Sequence, residues 1–350
     1  MTDGSGSGRT AVIAAMDRYQ PRRPSVRVDL SDNTSLWGPP PSVRATLAGL
    51  TDAQVSRYPT PYADALCESL AEYHRVDPSR VVTGCGSDDV LDSAIRACCD
   101  AGSTIAIGVP TFSVVPAFAE VNEVALASVE LERDGSLDAE KLLATGADLF
   151  YLCSPNNPTG TRIDDGALRA LLRGTDAIVL LDEAYADFAD DDATGLLDEF
   201  TNLVVVRTMS KAFGLAGLRV GYALGDPNVV GAISVSRGPY KVGSVAEAVA
   251  LGVLRDDVAW VRERVGEVRA LRQWLTSRLV DAGFEVLDSQ ANFVAVLVED
   301  ATRLLDRLLP AGVLARAYTA LPVFGDVFRI TIGPRPQLDE ALGLLTEEAS

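Results

Sequence analysis

Leu203-Val204-Val205-Val206-Arg207-Thr208-Met209-Ser210-Lys211-Ala212-Phe213-Gly214-Leu215-Ala216-Gly217-Leu218-Arg219 is the stretch from which the rest of this 350-residue chain is read. The apolar run Leu203 to Val206 reads as a buried strand, and small residues and glycines follow Lys211. A hydroxyl, Ser210, stands just before the lysine, and Arg219 follows further on. At a strand end walled by apolar groups, desolvation disfavours the ammonium form, and the free amine becomes nucleophilic. Taken alone, Lys211 reads as a solvated loop lysine, because lysines are mostly surface residues. The segments upstream decide between these readings.

Three further apolar runs end on groups with chemistry. Arg80 to Thr83 leads into Gly84-Cys85-Gly86-Ser87-Asp88, Leu149 to Cys153 into Ser154-Pro155-Asn156-Asn157-Pro158-Thr159-Gly160, and Ala177 to Leu181 into Asp182-Glu183-Ala184-Tyr185. Four strand ends thus carry an amine, a carboxylate, an amide and a glycine-rich anion site. In open α/β sheets, ligands bind beyond the carboxyl ends of the strands.

Pyridoxal 5'-phosphate accounts for all four ends: its aldehyde needs a lysine, its ring nitrogen a carboxylate, its phenolic oxygen donors, and its phosphate an anion cradle. Asp182 is the expected partner of the ring nitrogen, and Asn157 and Tyr185 carry donors for the phenolic oxygen. Gly86, Ser87 and Asp88 precede an apolar-periodic stretch, Val90 to Cys98, that predicts a helix whose first N–H groups can hold phosphate. Ser210 and the forked donors of Arg219 add side-chain contacts. Asp88 reads equally well as a first-turn carboxylate favoured by the helix dipole. Tyr185 alone could be an ordinary half-buried tyrosine. Gly84-Cys85-Gly86 does not complete a dinucleotide fingerprint, and no P-loop occurs.

These pieces, together with Arg57-Tyr58-Pro59, Pro110-Thr111-Phe112 and Phe328-Arg329-Ile330-Thr331-Ile332-Gly333, occur in the order found in the fold-type I aminotransferases. Over nearly its whole length the chain resembles the histidinol-phosphate aminotransferase subfamily. The resemblance implies an α/β fold: a large domain with a mostly parallel sheet sandwiched by helices, plus a smaller α+β domain. It implies a ping-pong exchange of an amino group between a small-molecule amino donor and a 2-oxo acid acceptor. Lys211, Asp182 and Tyr185 would be the catalytic residues. Thr208 would join Gly86, Ser87, Asp88, Asn157, Ser210 and Arg219 around the cofactor, and Phe112 would stack on its ring. Tyr58 would reach the neighbouring site of a homodimer. Arg329 would hold the substrate carboxylate and Arg316 its distal phosphate, although Arg316 also reads as a surface arginine at a strand end.

Three departures bear on the substrate. The stacking position usually carries tyrosine, and here it is Phe112. The N-terminal segment that commonly reads Asn-Glu-Asn-Pro is Asn33-Thr34-Ser35-Leu36, with Asn33 near the substrate. Val114-Val115-Pro116-Ala117 is more apolar than a phosphate-bearing substrate suggests. An aromatic or specialised-pathway amino acid therefore stays open, as does a decarboxylase of the threonine-phosphate type. A transcriptional regulator built on this fold would carry a DNA-binding domain in front, and the first 40 or so residues show no helix-turn-helix pattern.

The net charge of −18 argues against nucleic-acid binding, which calls for a basic patch, and Arg22-Arg23 is too short to make one. Five cysteines, with Cys98 and Cys99 adjacent and no C-x-x-C, give neither a disulfide framework nor a zinc site. A reducing cytoplasm fits. The only histidine, His74, lies in a polar patch and reads as a surface residue. No apolar run approaches membrane-span length.

The expected organisation is a tail and arm over 1–40, a large cofactor-binding domain over 41–245 and a small domain over 246–350. The tail Met1 to Thr10 is Gly/Ser-rich, and Val12 to Tyr19 predicts a short helix. Val245 to Ala282 predicts a long helical region, with a break expected at Gly266 and Gly283 as its C-cap. The acidic run Asp187 to Asp192 reads as a solvated loop.

Overall fold

The computed structural model describes residues 24–346. The expected tail, the short helix at Val12 to Tyr19 and the Arg22-Arg23 pair lie outside them. The apolar runs form the strands they predict, in a seven-stranded sheet built from β2 (Val81–Cys85), β3 (Thr104–Val109), β4 (Ala125–Glu130), β5 (Leu149–Cys153), β6 (Ile178–Asp182), β7 (Leu203–Thr208) and β8 (Val220–Leu224), after a short β1 (Val28–Asp29) in the arm. The order across the sheet is β2-β8-β7-β6-β5-β3-β4. β5 and β7 are buried along their whole length. That explains their unbroken apolar sequences, since helices cover both faces of a parallel sheet.

β8 alone runs antiparallel, pairing with β2 on one side and β7 on the other. Its register puts Val220 beside Cys85 and Gly221 beside Thr208. β8 therefore starts at the edge where its neighbours end. The residue before it, Arg219, is delivered to the same edge as Lys211, which follows β7.

The C-terminal portion holds β9 (Glu285–Val286), β10 (Phe293–Val298), β11 (Val313–Leu314), β12 (Arg316–Leu321) and β13 (Gly325–Thr331). β12, β13, β10 and β9 form an antiparallel sheet in that order, and β1 pairs in parallel with β11. The arm also gives its Leu30 carbonyl oxygen to the N–H of Thr331, so it is held by the C-terminal portion.

The expected long helix is two, Ser244–Asp256 and Val258–Asp281, and the break falls at Asp257 instead of Gly266. The reason is a tertiary contact. Asp257 is buried, and its carboxylate accepts the N–H of Ser42 at 2.9 Å and the Ser42 hydroxyl. Gly266 stays inside the second helix, with open space where a Cβ would point. Gly283 follows that helix with φ near +90°. The Gly283 and Phe284 N–H groups return to the carbonyls of Val280 and Leu279, as a left-handed glycine stop requires. The helix Ser244–Asp256 packs on the helices Ser42–Ala48 and Asp64–His74, whereas Val258–Asp281 packs on β9, β10 and the C-terminal helix Arg335–Thr346.

His74 is half-buried, not a surface residue: its Nε2 lies 2.8 Å from the Tyr222 hydroxyl, and burial lowers its pKa to about 3. The acidic run is not simply solvated either. Asp187 and Asp192 turn inward toward Arg207.

Candidate active site

Where the strand ends converge lies a cavity lined by Ser87, Asp88, Phe112, Asn157, Asp182, Tyr185, Thr208, Ser210, Lys211 and Arg219. The sheet order explains the convergence. β5, β6 and β7 are neighbours, so Asn157, Asp182 and Lys211 come from adjacent strand ends.

The Lys211 Nζ donates to the carbonyl oxygen of Asp32 at 3.0 Å and sits 5.6 Å from the centre of the Tyr185 ring. Burial, and then the charge of Arg329, lower its pKa to about 8. The free amine is therefore accessible near neutral pH, where an exposed lysine stays charged.

Asp182 ends β6 and is buried. One carboxylate oxygen accepts the Ala184 N–H and the other the Tyr151 hydroxyl, both at 3.1 Å. Burial nevertheless pushes its carboxyl up to about 6. A cation placed against Asp182 would lower that value again, so the position favours a cationic partner. Tyr151 went unrecognised in the sequence because it lies inside an apolar run. The readable signal was its hydroxyl, since a buried tyrosine usually finds a hydrogen-bond partner.

Tyr185 receives a hydrogen bond from the Asn33 side-chain amide at 3.1 Å, and its ring meets Phe293 edge-on at 5.3 Å. Burial raises its phenol above the usual range, so the hydroxyl keeps its proton and can donate it. The Asn157 side-chain oxygen accepts from Arg329, which leaves the Asn157 amide N–H groups to serve the cavity.

At the other end is an anion cradle. The helix Gly86–Cys98 starts here, so Gly86, Ser87 and Asp88 form its first turn. Arg219 donates to the Ser210 hydroxyl at 3.2 Å and to the Asp88 carboxylate at 3.0 Å, and the Thr208 hydroxyl donates to Ser210 at 3.0 Å. Asp88 thus holds the guanidinium in place, and it also lines the cavity. Gly86 has φ near +81°, and a Cβ on it would stand 2.2 Å from Arg219 Nη2. A Cβ on Gly221 would stand 2.2 Å from the backbone of Gly86 and Ser87. The close approach of β8 to the helix start thus requires glycine. Gly221→Ala is expected to destabilise the protein by about 1–3 kcal/mol through overpacking and to displace the Ser87 N–H from the cradle. Urea unfolding checks the first effect and inorganic phosphate binding the second.

Five expected residues lie outside the cavity wall, Gly86 against the Arg219 guanidinium among them. Asn33 is buried behind Tyr185, with its carboxamide taken up by the Tyr185 and Thr331 hydroxyls. Arg329 is buried behind Asn157; it also donates to the Ser31 carbonyl, and its Nε has no partner. Arg316 is paired across the strands with Arg329 and stacks over Tyr318. Tyr58 is 85% exposed and packs against Tyr240 at 5.0 Å.

A lysine, a buried carboxylate and a cradle of hydroxyls, backbone N–H groups and an arginine thus share one edge of this sheet. The chain belongs to the aminotransferase class I and II family, whose model matches residues 26–345. It is 38% identical over 303 residues to the histidinol-phosphate aminotransferase of Methanoculleus marisnigri, covering 84% of each chain. It is 34% identical over 340 residues to an aromatic amino acid aminotransferase of Rhodococcus erythropolis, covering 94% of this chain and 93% of that one. The crystal structure of histidinol-phosphate aminotransferase from Sinorhizobium meliloti in complex with pyridoxal-5'-phosphate superposes with a TM-score of 0.85 at 25% identity, covering 99% of this chain and 98% of that one. The protein is an aminotransferase of a pyridoxal-phosphate-dependent family. Among the described residues, no helix is long and apolar enough to cross a membrane.

Proposed function

We propose that the cavity holds pyridoxal 5'-phosphate on Lys211 and that the enzyme takes histidinol phosphate as amino donor and a 2-oxo acid as acceptor. The observation that carries the cofactor reading is that Lys211, Asp182 and the Arg219 cradle line one cavity. The donor set fits the group: Asp182 would face the ring nitrogen, Asn157 and Tyr185 the phenolic oxygen, and Gly86, Ser87, Thr208, Ser210 and Arg219 the phosphate. Once bound, the cofactor supplies an electron sink for the bond broken at the substrate's Cα.

The chain's own residues do the rest. Arg329 lends its guanidinium to the substrate carboxylate by exchanging its bonds to the Asn157 side chain and the Ser31 carbonyl for it. Lys211, with an amine that exchanges protons near neutral pH, removes the proton at Cα and returns it as general base and acid. Asp182 would keep a negative charge against the ring nitrogen, and Phe112 would cover the ring face.

A homodimer with Tyr58 reaching the neighbouring cavity belongs to this proposal, and the exposure of Tyr58 supports it. So do a cytoplasmic setting, which five free cysteines suit, and a division into domains near residue 245.

Phe112 in the cavity lining, where tyrosine is usual, and the Rhodococcus relative favour a second donor class, aromatic amino acids. A single-turnover panel separates them by following the bound-cofactor absorbance on adding histidinol phosphate, phenylalanine, glutamate or threonine phosphate. Rapid change with histidinol phosphate is expected, and a response to phenylalanine alone overturns that choice. Carbon dioxide release from threonine phosphate would mark a decarboxylase. Arg316→Ala is expected to lower kcat/KM for histidinol phosphate by about 10–100-fold, the worth of a charge-assisted hydrogen bond, and to spare phenylalanine.

A further inference from the structure

Behind the cavity lies a cluster of charges that the reaction does not use. Arg207 sits on β7 just before Thr208 and is 2% exposed. Its Nε donates to Glu183 Oε2 at 2.9 Å, and its Nη2 lies 2.8 Å from an Asp192 carboxylate oxygen. Its Nη1 lies 3.6 Å from Asp187. The second oxygen of Glu183 accepts the Ala193 N–H at 2.7 Å. Tyr222 stands beside Arg207 in the strand register and bonds His74. One buried guanidinium is thus held by the buried Glu183, the half-buried Asp187 and Asp192 at the surface.

Side chains on a strand alternate between its faces. Asp182 lines the cavity, and the next residue, Glu183, points away from it. Thr208 lines the cavity, and the residue before it, Arg207, points away. The Arg207–Glu183 pair therefore joins the same two strand ends that carry Asp182 and Lys211, on their far side. Asp187 and Asp192 add the loop that follows Tyr185. A backbone hydrogen bond from Glu183 N–H to the Val206 carbonyl at 2.8 Å lies between the two faces.

We infer that Arg207 is a positioning residue of the active site: by clamping Glu183, Asp187 and Asp192 it sets where Asp182 and Tyr185 stand relative to Lys211. The electrostatics agree with a clamp. Burial pushes Glu183 up to about 7 despite the guanidinium. Burial also acts to raise Asp192, yet Arg207 holds it down at about 2. Removing the guanidinium leaves buried carboxylates unpaired, so they must take up protons or move apart. Either change is transmitted to Asp182 through the one peptide bond that separates it from Glu183.

The inference rests on the proposal that Asp182 faces pyridoxal phosphate, and the test keeps the two apart. Arg207→Met, Arg207→Lys and Glu183→Gln would be prepared beside the wild type. Leu171→Ala, a buried site on the helix Asp165–Gly174 and outside the cavity, would serve as a plain core lesion. Two quantities are read: the affinity of the apo-protein for pyridoxal phosphate, and the pH midpoint of the bound-cofactor absorbance. Arg207→Met is expected to weaken cofactor binding about tenfold and to move the midpoint. Arg207→Lys should recover part of both changes, while Leu171→Ala lowers only Tm. Should Arg207→Met fail to fold, Glu183→Gln carries the same test, since it keeps the side-chain size and the acceptor for Ala193. Variants that lose Tm yet keep wild-type affinity and midpoint overturn the positioning role. A wild type that takes up no pyridoxal phosphate overturns the cofactor reading, and this inference with it.

Discussion

Lys211→Ala is expected to abolish turnover, with kcat lower by at least about 10⁴-fold, the upper end of what general acid–base catalysis contributes. The loss should reach that end because one amine serves twice, as the attachment point and as the proton carrier. The structure adds a pH signature. Burial and the Arg329 charge lower the amine's pKa to about 8, and only the free amine can attack an aldehyde. Uptake of pyridoxal phosphate by the apo-protein should therefore accelerate as pH rises through about 8 and then level off. Stopped-flow absorbance at several pH values measures this directly. The alanine variant keeps the phosphate cradle but should show no covalent attachment of the cofactor at any pH. Steady-state transamination surviving in Lys211→Ala would remove the lysine from the mechanism.

Asp182→Asn is expected to lower kcat by about 10²–10³-fold, the cost of losing a preorganised charge at a catalytic centre, with a much smaller effect on folding. The asparagine has the same shape and can keep the bond from the Ala184 N–H. Tyr151 can turn its hydroxyl to accept where it now donates. What disappears is the negative charge. Burial holds the Asp182 carboxyl at about 6. A cationic ring nitrogen would draw it lower, so the carboxylate form is the one the bound state selects. The matching measurement is kcat beside a urea unfolding curve. Activity within tenfold of wild type would show that the carboxylate does not act on the ring.

Most of the fold was legible because its strands are buried on both faces. Leu149 to Cys153 and Leu203 to Val206 have no polar alternation to confuse them, and their ends are marked by chemistry. The cavity was legible for the same reason: Asn157, Asp182 and Lys211 stand at adjacent strand ends. What escaped depends on contacts between segments far apart in sequence. Asp187 to Asp192 looks like a solvated loop until Arg207 is seen beneath it. The clue was an arginine within an apolar strand, because a buried guanidinium needs carboxylates. His74 escaped because its partner, Tyr222, lies on a distant strand. The break at Asp257 escaped because Ser42, not the local sequence, causes it. Asn33 was expected at the substrate, yet its carboxamide is already engaged by Tyr185 and Thr331.

The way the arm is held has a consequence for the order of folding. β1 pairs with β11, the Ser31 carbonyl receives Arg329 from 298 residues away, and the Asp32 carbonyl receives Lys211. Contacts of such sequence separation carry a large loop-closure cost and form late. During synthesis the arm emerges before its partners, and it has no strand to join until β11 has been made. The large sheet contains none of these residues and can assemble before then. Lys211 would gain its Asp32 partner, and Tyr185 its Asn33 partner, only in the closing step. Chemical competence should thus appear after most of the secondary structure, and a refolding experiment that follows circular dichroism and cofactor uptake together would show two phases in that order.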